Sequence, residues 1–387
     1  MNEIKKKKRE EISAGLKKVA QYGVPEIAAA MEYDVGSGKF LDYFKEEVLE
    51  SLIFQGGSTV RFFEGPYGSG KTHLLDLIRE LALDNNMAVG FTELGHDIKL
   101  DDWRQITNNV LENIEIRIDA ERIRSLDSIL LALKRSGQVD YKALKNTILP
   151  HPGFQRAMLL IFEDDEMPSQ AQEKIFSYLR GEKVGAGELA RSGIRGVKGP
   201  LSKRNAEQVL KTVLNGLFLL GLNGTLLLFD EAEQIFRINR ANPSQKIRVS
   251  ANLMRRLVDG SASGTLVGTG VIFAVLPGFI DACGNAYPAL GQRLEVSYDS
   301  RDSNPWRQPI LTVSSVSSAN TPEEFLQSAS IKFESLVNEC GGNTEGLRKL
   351  MIKKGEQIIR NDASSGYRRS LMKVLAALAV DRIEKRG

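Results

Sequence analysis

The stretch Gly65-Pro-Tyr-Gly-Ser-Gly-Lys-Thr72 decides the fold, because it spells G-x-x-x-x-G-K-T between two recognisable elements. The apolar run 59–63 before it is typical of a β-strand, and 73–82 after it has the apolar spacing of a helix. Glycines in such a loop let the backbone wrap around phosphates, so that N–H groups and the helix N-terminus face negative charge. A glycine-rich turn before an ordinary helix is the alternative interpretation.

The loop residues have predicted roles in binding a nucleoside triphosphate. Lys71 is placed to reach the β- and γ-phosphates, and the hydroxyl group of Thr72 is placed to ligate Mg²⁺. We therefore predict a nucleotide and Mg²⁺ as cofactors. The predicted nucleotide-binding residues are Gly65, Pro66, Tyr67, Gly68, Ser69, Gly70, Lys71, Thr72 and His73.

A second motif, Gly224-Thr-Leu-Leu-Leu-Phe-Asp-Glu231, reads as a buried strand that ends in two carboxylates. An apolar strand of this kind suits a parallel sheet covered on both faces. In P-loop NTPases the carboxylate at the strand end, here Asp230, holds the Mg²⁺ shell. Glu231 is placed to polarise an attacking water as a general base. The alternative is a buried strand followed by a polar helix cap.

The composition is that of a soluble globular protein with two or three domains. The chain has 387 residues, 42% of them hydrophobic and 26% charged, and a net charge of +3 at pH 7. Basic stretches at 5–9 and 191–211 can contact DNA phosphates, although most such stretches are solvated loops and helix ends. The two cysteines have no metal-binding spacing, and no apolar run is long enough for a membrane span. We therefore predict a cytoplasmic protein.

Strand and helix patterns alternate along the chain, which favours an α/β fold with a parallel sheet. We predict five parallel strands, at about 59–63, 88–93, 224–230, 270–276 and 309–313. Residues 97–222 show no convincing strand, and we interpret them as a helical insertion that includes helices over 103–115 and 119–134. The predicted domains are an N-terminal helical segment over 1–58, a P-loop core over 59–315 and a C-terminal helical lid over 316–387.

The order of these elements resembles that of AAA+ ATPases, closest to the origin-recognition-type branch. More specific stretches are similar to the ATP-binding family of BREX phage-defence systems, BrxC and BrxD, and the length of the chain is more like BrxD. The similarity covers roughly residues 9–95 and 224–380. It includes Tyr22-Gly-Val-Pro25, the loop quoted above, 251–259, Ala289-Leu-Gly-Gln-Arg293 and Tyr367-Arg368-Arg-Ser.

This resemblance implies an ATPase that hydrolyses ATP with Mg²⁺ and acts as a switch or motor in an anti-phage complex, on or near DNA. It implies that Arg293 is an arginine finger, which reaches the γ-phosphate of a neighbouring subunit. It also implies a sensor arginine at Arg368, with Arg369 as the competing choice. The implied partners are further copies of the chain, other defence proteins and double-stranded DNA. Arg293 can instead be a surface arginine that caps a helix.

The tip of the fourth predicted strand departs from the AAA+ pattern. Ala274-Val-Leu-Pro277 offers no polar side chain to an attacking water, whereas AAA+ proteins usually present one there. Loss of one such group can leave binding intact and slow hydrolysis by about 10²-fold. A nucleotide-gated adaptor that hydrolyses little ATP and recruits defence enzymes is therefore an alternative. A small-molecule kinase is less favoured, because no acceptor-binding motif is visible.

Overall fold

A β-sheet forms the centre of the protein in a computed structural model, which describes residues 2–95, 97–137, 139–164, 167–197, 200–233, 245–294, 304–319, 321–361 and 366–384. Within these ranges the sheet has seven strands: β1 (Ser58–Glu64), β2 (Ala88–Glu93), β3 (Glu115–Ile118), β4 (Glu121–Arg124), β5 (Thr225–Asp230), β6 (Thr269–Val275) and β7 (Ile310–Thr312). They lie in the order β4-β3-β2-β5-β6-β1-β7.

The five predicted strands are present and parallel. β1 pairs with β6 and β7, while β5 pairs with β2 and β6. Every residue of β5 and β6 is buried, which is the pattern of a parallel sheet covered by helices on both faces. The carboxyl ends of these strands meet at one edge of the sheet, and this edge carries both the end of β1 and Asp230.

A β-hairpin adds the two remaining strands, so the predicted count of five is wrong. β3 and β4 pair antiparallel, and β3 lies beside β2. In their turn Asp119 has φ 48° and Ala120 has φ 69°, a geometry whose usual sequence signal is Asn-Gly or Asp-Gly. Because this turn has no glycine and the strands are rich in charged residues, the sequence predicts a helix from residue 119. That helix begins only at Leu126.

The rest of the chain between β2 and β5 is helical in its described residues, and these helices pack against one face of the sheet in a single buried cluster. They are α4 (Trp103–Asn113), α5 (Leu126–Ser136), α6 (Lys142–Asn146), α7 (Pro152–Glu163), α8 (Ser169–Leu179), α9 (Ala186–Arg191) and α10 (Ala206–Leu219). The same cluster includes residues of α11 (Gln245–Ala262), α12 (Phe279–Ala286) and α13 (Pro288–Leu294). At its centre, the ring of Phe273 stacks between those of Phe62 and Phe229.

The opposite face of the sheet is covered by the helix that follows β1 and by the segment that precedes β1. The former is α3 (Lys71–Asp84), and the latter contains a 3-10 helix (Ile27–Tyr33), α2 (Gly38–Tyr43) and its wider, π-helical continuation (Phe44–Ile53). None of the helices in the described ranges is both long enough and apolar enough to span a membrane.

The first helix of the chain packs against the last three. The four helices are α1 (Asn2–Tyr22), α14 (Pro322–Glu339), α15 (Leu347–Asn361) and α16 (Tyr367–Glu384). They share a buried cluster that contains Ile12 and Leu16 of α1, Phe333 of α14 and Leu375 of α16. The domain boundaries at 58 and 315, and the interpretation of the last helices as a lid, stay predictions.

Candidate functional site

The glycine-rich loop connects β1 with α3 at the carboxyl edge of the sheet. Gly68 and Gly70 have φ angles of 76° and 97°, which glycine adopts far more readily than other residues. A Cβ atom placed on Gly70 would meet no atom within 4 Å, so the loop opens onto free space at that point. Gly70 also provides no side-chain cap for α3, which leaves the first N–H groups of the helix available to an anion.

A cleft lies against this loop, and its walls come from both ends of the chain. We define the loop cleft as the cavity lined by 67–74, Asp230, Glu231, Glu233, seven residues between 23 and 37 and residues between 313 and 372. Its apolar lining includes Val24, Pro25, Val35, Leu74, Val313, Val316, Phe325 and Met372. The loop cleft thus combines a charged loop with an apolar wall, which suits the phosphates and the base of a nucleotide respectively.

The ammonium group of Lys71 is held by the loop itself. Its Nζ donates to the carbonyl oxygens of Gly65 (2.9 Å) and Pro66 (3.3 Å) and lies 5.2 Å from the centre of the Tyr67 ring. Lys71 is only 8% exposed. Burial lowers the pKa of its ammonium group, an effect that nearby carboxylates oppose. A phosphate would offer this cation a stronger partner than two neutral carbonyl groups do.

The two predicted Mg²⁺ ligands are in direct contact. Thr72 Oγ1 donates to Asp230 Oδ2 at 2.6 Å, and the backbone N–H of Glu231 donates to Asp230 Oδ1 at 2.9 Å. Asp230 is buried, and burial raises the pKa of its carboxyl group although both hydrogen bonds oppose the shift. Hydroxyl and carboxylate oxygens are ligands that Mg²⁺ prefers. The residues present therefore fit a Mg²⁺ ion next to the phosphate loop.

Glu231 lines the loop cleft directly after Asp230. Its backbone φ is 54°, in the left-handed region that costs a residue with a side chain about 1 kcal/mol or more. Strained conformations of this kind concentrate at functional sites. Glu231 thus lines the same cleft as Lys71 and Thr72, and its role as a general base stays a prediction.

Another polar pair lies on the wall formed by the segment before β1. Asp34 Oδ1 lies 3.6 Å from His73 Nε2, and Asp34 Oδ2 accepts a hydrogen bond from the N–H of Ser37 at 3.0 Å. Burial raises the pKa of the Asp34 carboxyl group, but the interactions with His73 and Ser37 outweigh this effect and lower the pKa overall. His73, predicted as a nucleotide-binding residue, therefore connects α3 with this wall.

Arg368 reaches the phosphate loop from the last helix. Its Nη1 lies 3.5 Å from the carbonyl oxygen of Ser69, and its Nη2 donates to the carbonyl of Ala319 at 3.1 Å. The guanidinium group also lies over the ring of Phe325, 4.9 Å from its centre. Arg369 lines the cleft as well, but its Nε donates to the carbonyl of Tyr22 at 2.9 Å. Of the two candidates for a sensor arginine, Arg368 is the one that contacts the loop.

The amino-acid sequence matches the model of one protein family, described as BREX system ATP-binding protein BrxC/D. The matched residues are 4–134 and 149–331, most of the chain. The chain belongs to the BrxC/D family. The description of this family makes it an ATP-binding component of the BREX phage-defence system, in agreement with the phosphate loop. Neither the curated proteins nor the solved structures contain a match to the chain.

In this BrxC/D-family protein, Arg293 lies away from the loop cleft, near the end of α13. Its Nε donates to Asp259 of α11, and its Nη1 donates to the carbonyl of Ala289 at 2.8 Å. Asp259 also accepts a hydrogen bond from Arg255. The Arg293 side chain is 35% exposed. Arg293 therefore does not join the cleft of its own chain, and its predicted role needs a second copy.

The tip of β6 carries the apolar residues that the sequence shows, with Leu276 and Pro277 after the strand. The polar group beside this tip belongs to another strand. Glu64, at the end of β1, accepts a hydrogen bond from the backbone N–H of Gly278 at 2.7 Å. The carboxylate of Glu64 therefore lies beside the tip of β6, whereas positions 276 and 277 carry apolar side chains.

Several residues of the loop cleft escaped the sequence analysis of this BrxC/D-family protein. Gly23-Val-Pro25 belongs to a stretch similar to the BREX family and reads locally as a helix break, but nothing in the sequence shows that all three residues line the cleft. Phe325 and Met372 have the ordinary spacing of core residues in helices, so nothing marks them as lining a site. The sequence gives a weak signal for Glu233, because it is the third acidic residue of the stretch Asp230-Glu-Ala-Glu233.

Proposed function

We propose that this BrxC/D-family protein is an AAA+ ATPase that hydrolyses ATP with Mg²⁺ and acts as a nucleotide-driven switch or motor in a BREX-like anti-phage complex. The observation that best supports the proposal is that Lys71, Thr72, Asp230, Glu231 and Arg368 all line one cleft. These are the side-chain types that phosphoryl transfer to water requires, because its catalysis rests on positioning and on stabilisation of charge.

Each of these residues has a distinct role in the proposed reaction. Lys71 and the N–H groups of the loop bind the β- and γ-phosphates, and Thr72 and Asp230 hold Mg²⁺. Bound Mg²⁺ supplies neutralisation of charge on the phosphates. Glu231 accepts a proton from the attacking water. Arg368 contacts the γ-phosphate from within the subunit, and its present contact with the carbonyl of Ser69 supports this assignment.

The wider assignment rests on the resemblance to AAA+ proteins. We propose that copies of the chain assemble so that Arg293 of one copy reaches the γ-phosphate bound by another, and that the assembly acts with other defence proteins on or near double-stranded DNA in the cytoplasm. The same proposal includes an origin-recognition-type architecture and a closer likeness to BrxD than to BrxC. The exposure of Arg293 on the surface supports the intermolecular role.

The test is ATP turnover by the purified protein with Mg²⁺ at low salt, with and without duplex DNA. Lys71→Ala and Glu231→Gln serve as controls. We expect turnover that DNA increases and that both substitutions abolish. Equal turnover by wild type and Glu231→Gln would show that the measured activity does not come from this site.

A nucleotide-gated adaptor is the second candidate, and the tip of β6 is the observation that favours it. Because neither Leu276 nor Pro277 can hydrogen-bond an attacking water through its side chain, hydrolysis can be slow while ATP stays bound. An adaptor would co-purify with nucleotide and would assemble with its partners equally well as wild type or as Glu231→Gln. Fast turnover by the isolated protein would exclude it.

A further inference from the structure

Glu233 is a buried carboxylate in the loop cleft that no other described residue pairs with. It is 7% exposed, and neither of its carboxylate oxygens has a hydrogen-bond partner on another described residue. Its own backbone N–H is close enough to stabilise the ionised form weakly. An ionised carboxylate without donors is costly to bury, so native proteins supply partners for such groups. Since Glu233 lines the cleft, a ligand that enters the cleft can bring the missing donor.

The charges around Glu233 indicate which kind of ligand would stabilise it. Burial raises the pKa of its carboxyl group, and the hydrogen bond from its own backbone N–H opposes this shift. Among the described residues, the charged groups that act on it include one cation, Lys71, and two anions, Asp230 and Glu231. Lys71 itself donates to two loop carbonyls rather than to Glu233. A triphosphate alone would add about four negative charges beside these carboxylates. A cation must therefore enter together with the nucleotide.

Direct coordination by Glu233 is not what the geometry supports. Within the described ranges, no three side chains of the His, Cys, Asp and Glu types are arranged to hold a metal ion together. Mg²⁺ usually keeps several water molecules when it binds to proteins, with one or two carboxylates and substrate phosphates as its other partners. Such water molecules are hydrogen-bond donors, and no other described residue donates to the carboxylate of Glu233.

We propose that Glu233 accepts a hydrogen bond from a water molecule of the hydrated Mg²⁺ that Thr72 and Asp230 hold, and so sets the affinity of the site for Mg²⁺. This inference rests on the proposed function, because it needs a Mg²⁺-nucleotide complex in the loop cleft. It makes Glu233 a positioning residue, distinct from Glu231, which acts on the attacking water.

The test is the binding of a fluorescent ATP analogue to the full chain, titrated with Mg²⁺ and repeated in excess chelator. Outer partners of a metal site typically contribute about 10–100-fold to metal affinity. We expect Glu233→Gln to raise the Mg²⁺ concentration for half-maximal binding by about that factor. Binding in chelator should stay equal or become tighter, because one negative charge has gone. Glu233→Met, which removes the charge at similar volume, should give the same pattern.

Two control variants separate this role from others. Glu356→Gln removes one exposed charge from α15 and should leave both binding curves unchanged. Glu231→Gln should leave the Mg²⁺ titration near that of wild type while it abolishes turnover. An unchanged Mg²⁺ titration for Glu233→Gln, or an equal loss of binding with and without Mg²⁺, would overturn the inference alone. Absence of nucleotide binding by wild type would overturn the proposed function itself.

Discussion

Arg368 and Arg369 are adjacent in the sequence but contact different parts of the protein, which makes them a matched pair. Arg368 contacts the phosphate loop at Ser69, whereas Arg369 donates to Tyr22. We expect Arg368→Ala to lower ATP turnover by about 10²–10³-fold, as loss of one group that stabilises transition-state charge does. Arg369→Ala should change turnover only a few-fold at most. Turnover of the two variants at saturating ATP checks this, and equal losses would contradict it.

Asp76, one turn after Thr72 on α3, makes the stability of the protein depend on pH. Burial raises the pKa of its carboxyl group to about 6, although His73 and Arg79 oppose the shift. The ordinary pKa of an aspartate is about 3.9. The contribution of protonated Asp76 to the free energy of unfolding is therefore fully present below about pH 4, and it is lost as pH rises through 6. We expect Asp76→Asn to raise the free energy of unfolding by about 3 kcal/mol at pH 8 and by about half of that at pH 5.

Urea unfolding at the two pH values measures this difference. A gain of the same size at pH 8 and pH 5 would show that the substitution acts through packing rather than through the charge of Asp76.

The residues of the site differ in how visible they are in the sequence. The loop from Gly65 to Thr72 and the pair Asp230-Glu231 could be predicted, because each is a continuous stretch whose chemistry demands a fixed spacing. Asp34 and Met372 could not, since they meet only after the chain has folded. No local pattern distinguishes a residue that lines a cleft from one that fills a core.

Among the elements, the β3–β4 hairpin is attached to the phosphate-loop helix by a buried ionic cluster. Glu115 of β3 is completely buried and accepts hydrogen bonds from Arg79 of α3 (2.5 Å), Arg122 (3.4 Å) and Arg124 (3.1 Å). We expect Glu115→Gln to lower the free energy of unfolding by about 3–5 kcal/mol, because Arg79 stays buried without its charge partner. Glu121→Gln, in the exposed part of the hairpin, should stay within about 0.5 kcal/mol of wild type.

Urea unfolding of the two variants provides the comparison. Similar free energies of unfolding for the two variants would mean that the ionic cluster contributes little to stability. The hairpin would then be held by its apolar residues.

The turn of the same hairpin is strained at Ala120, whose φ is 69°. We expect Ala120→Gly to raise the free energy of unfolding by about 0.5–1 kcal/mol, since glycine adopts this conformation at little cost. The same substitution at Ala377, exposed in the middle of α16, should lower it by about 1 kcal/mol. Thermal or urea unfolding measures both. Two changes of the same sign would contradict the assignment of strain to the turn.

At the level of elements, apolar content separates what the sequence predicts from what it does not. β5 and β6 could be predicted because every position except Asp230 is apolar or small and each strand is buried on both faces. More than half of the residues in the hairpin strands are charged. Their arginines pair with Glu80, Asp84 and Glu115. That partnership depends on tertiary structure, so the pattern of the sequence alone favours a helix.

For the whole molecule, the proposed role of Arg293 implies that ATP hydrolysis depends on assembly. Because Arg293 lies outside the loop cleft of its own chain, an arginine finger at this position must act on a neighbour. We expect Arg293→Ala to lower turnover by about 10³-fold or more, the effect of removing such a finger. Mixing Arg293→Ala with Lys71→Ala should restore part of the turnover, since each variant supplies what the other lacks.

Turnover of the mixture, compared with that of each variant alone at the same total concentration, gives the answer. A mixture no more active than its components would mean that Arg293 does not act between subunits.

The pairing of the first helix with the last has a consequence for how the chain is made. Ile12, Leu16 and Val19 of α1 are buried mainly against helices that follow residue 321. About 300 residues separate α1 from α14, so at about 5–20 residues per second the ribosome needs roughly 15–60 s to make the chain between them. Throughout that interval the apolar face of α1 lacks the partners that α14 to α16 provide, although Tyr33 and Val35 of the same cluster are already made. We therefore expect the growing chain to depend on chaperones until these helices are made, and the wall of the loop cleft that carries Phe325, Arg368 and Met372 forms only then.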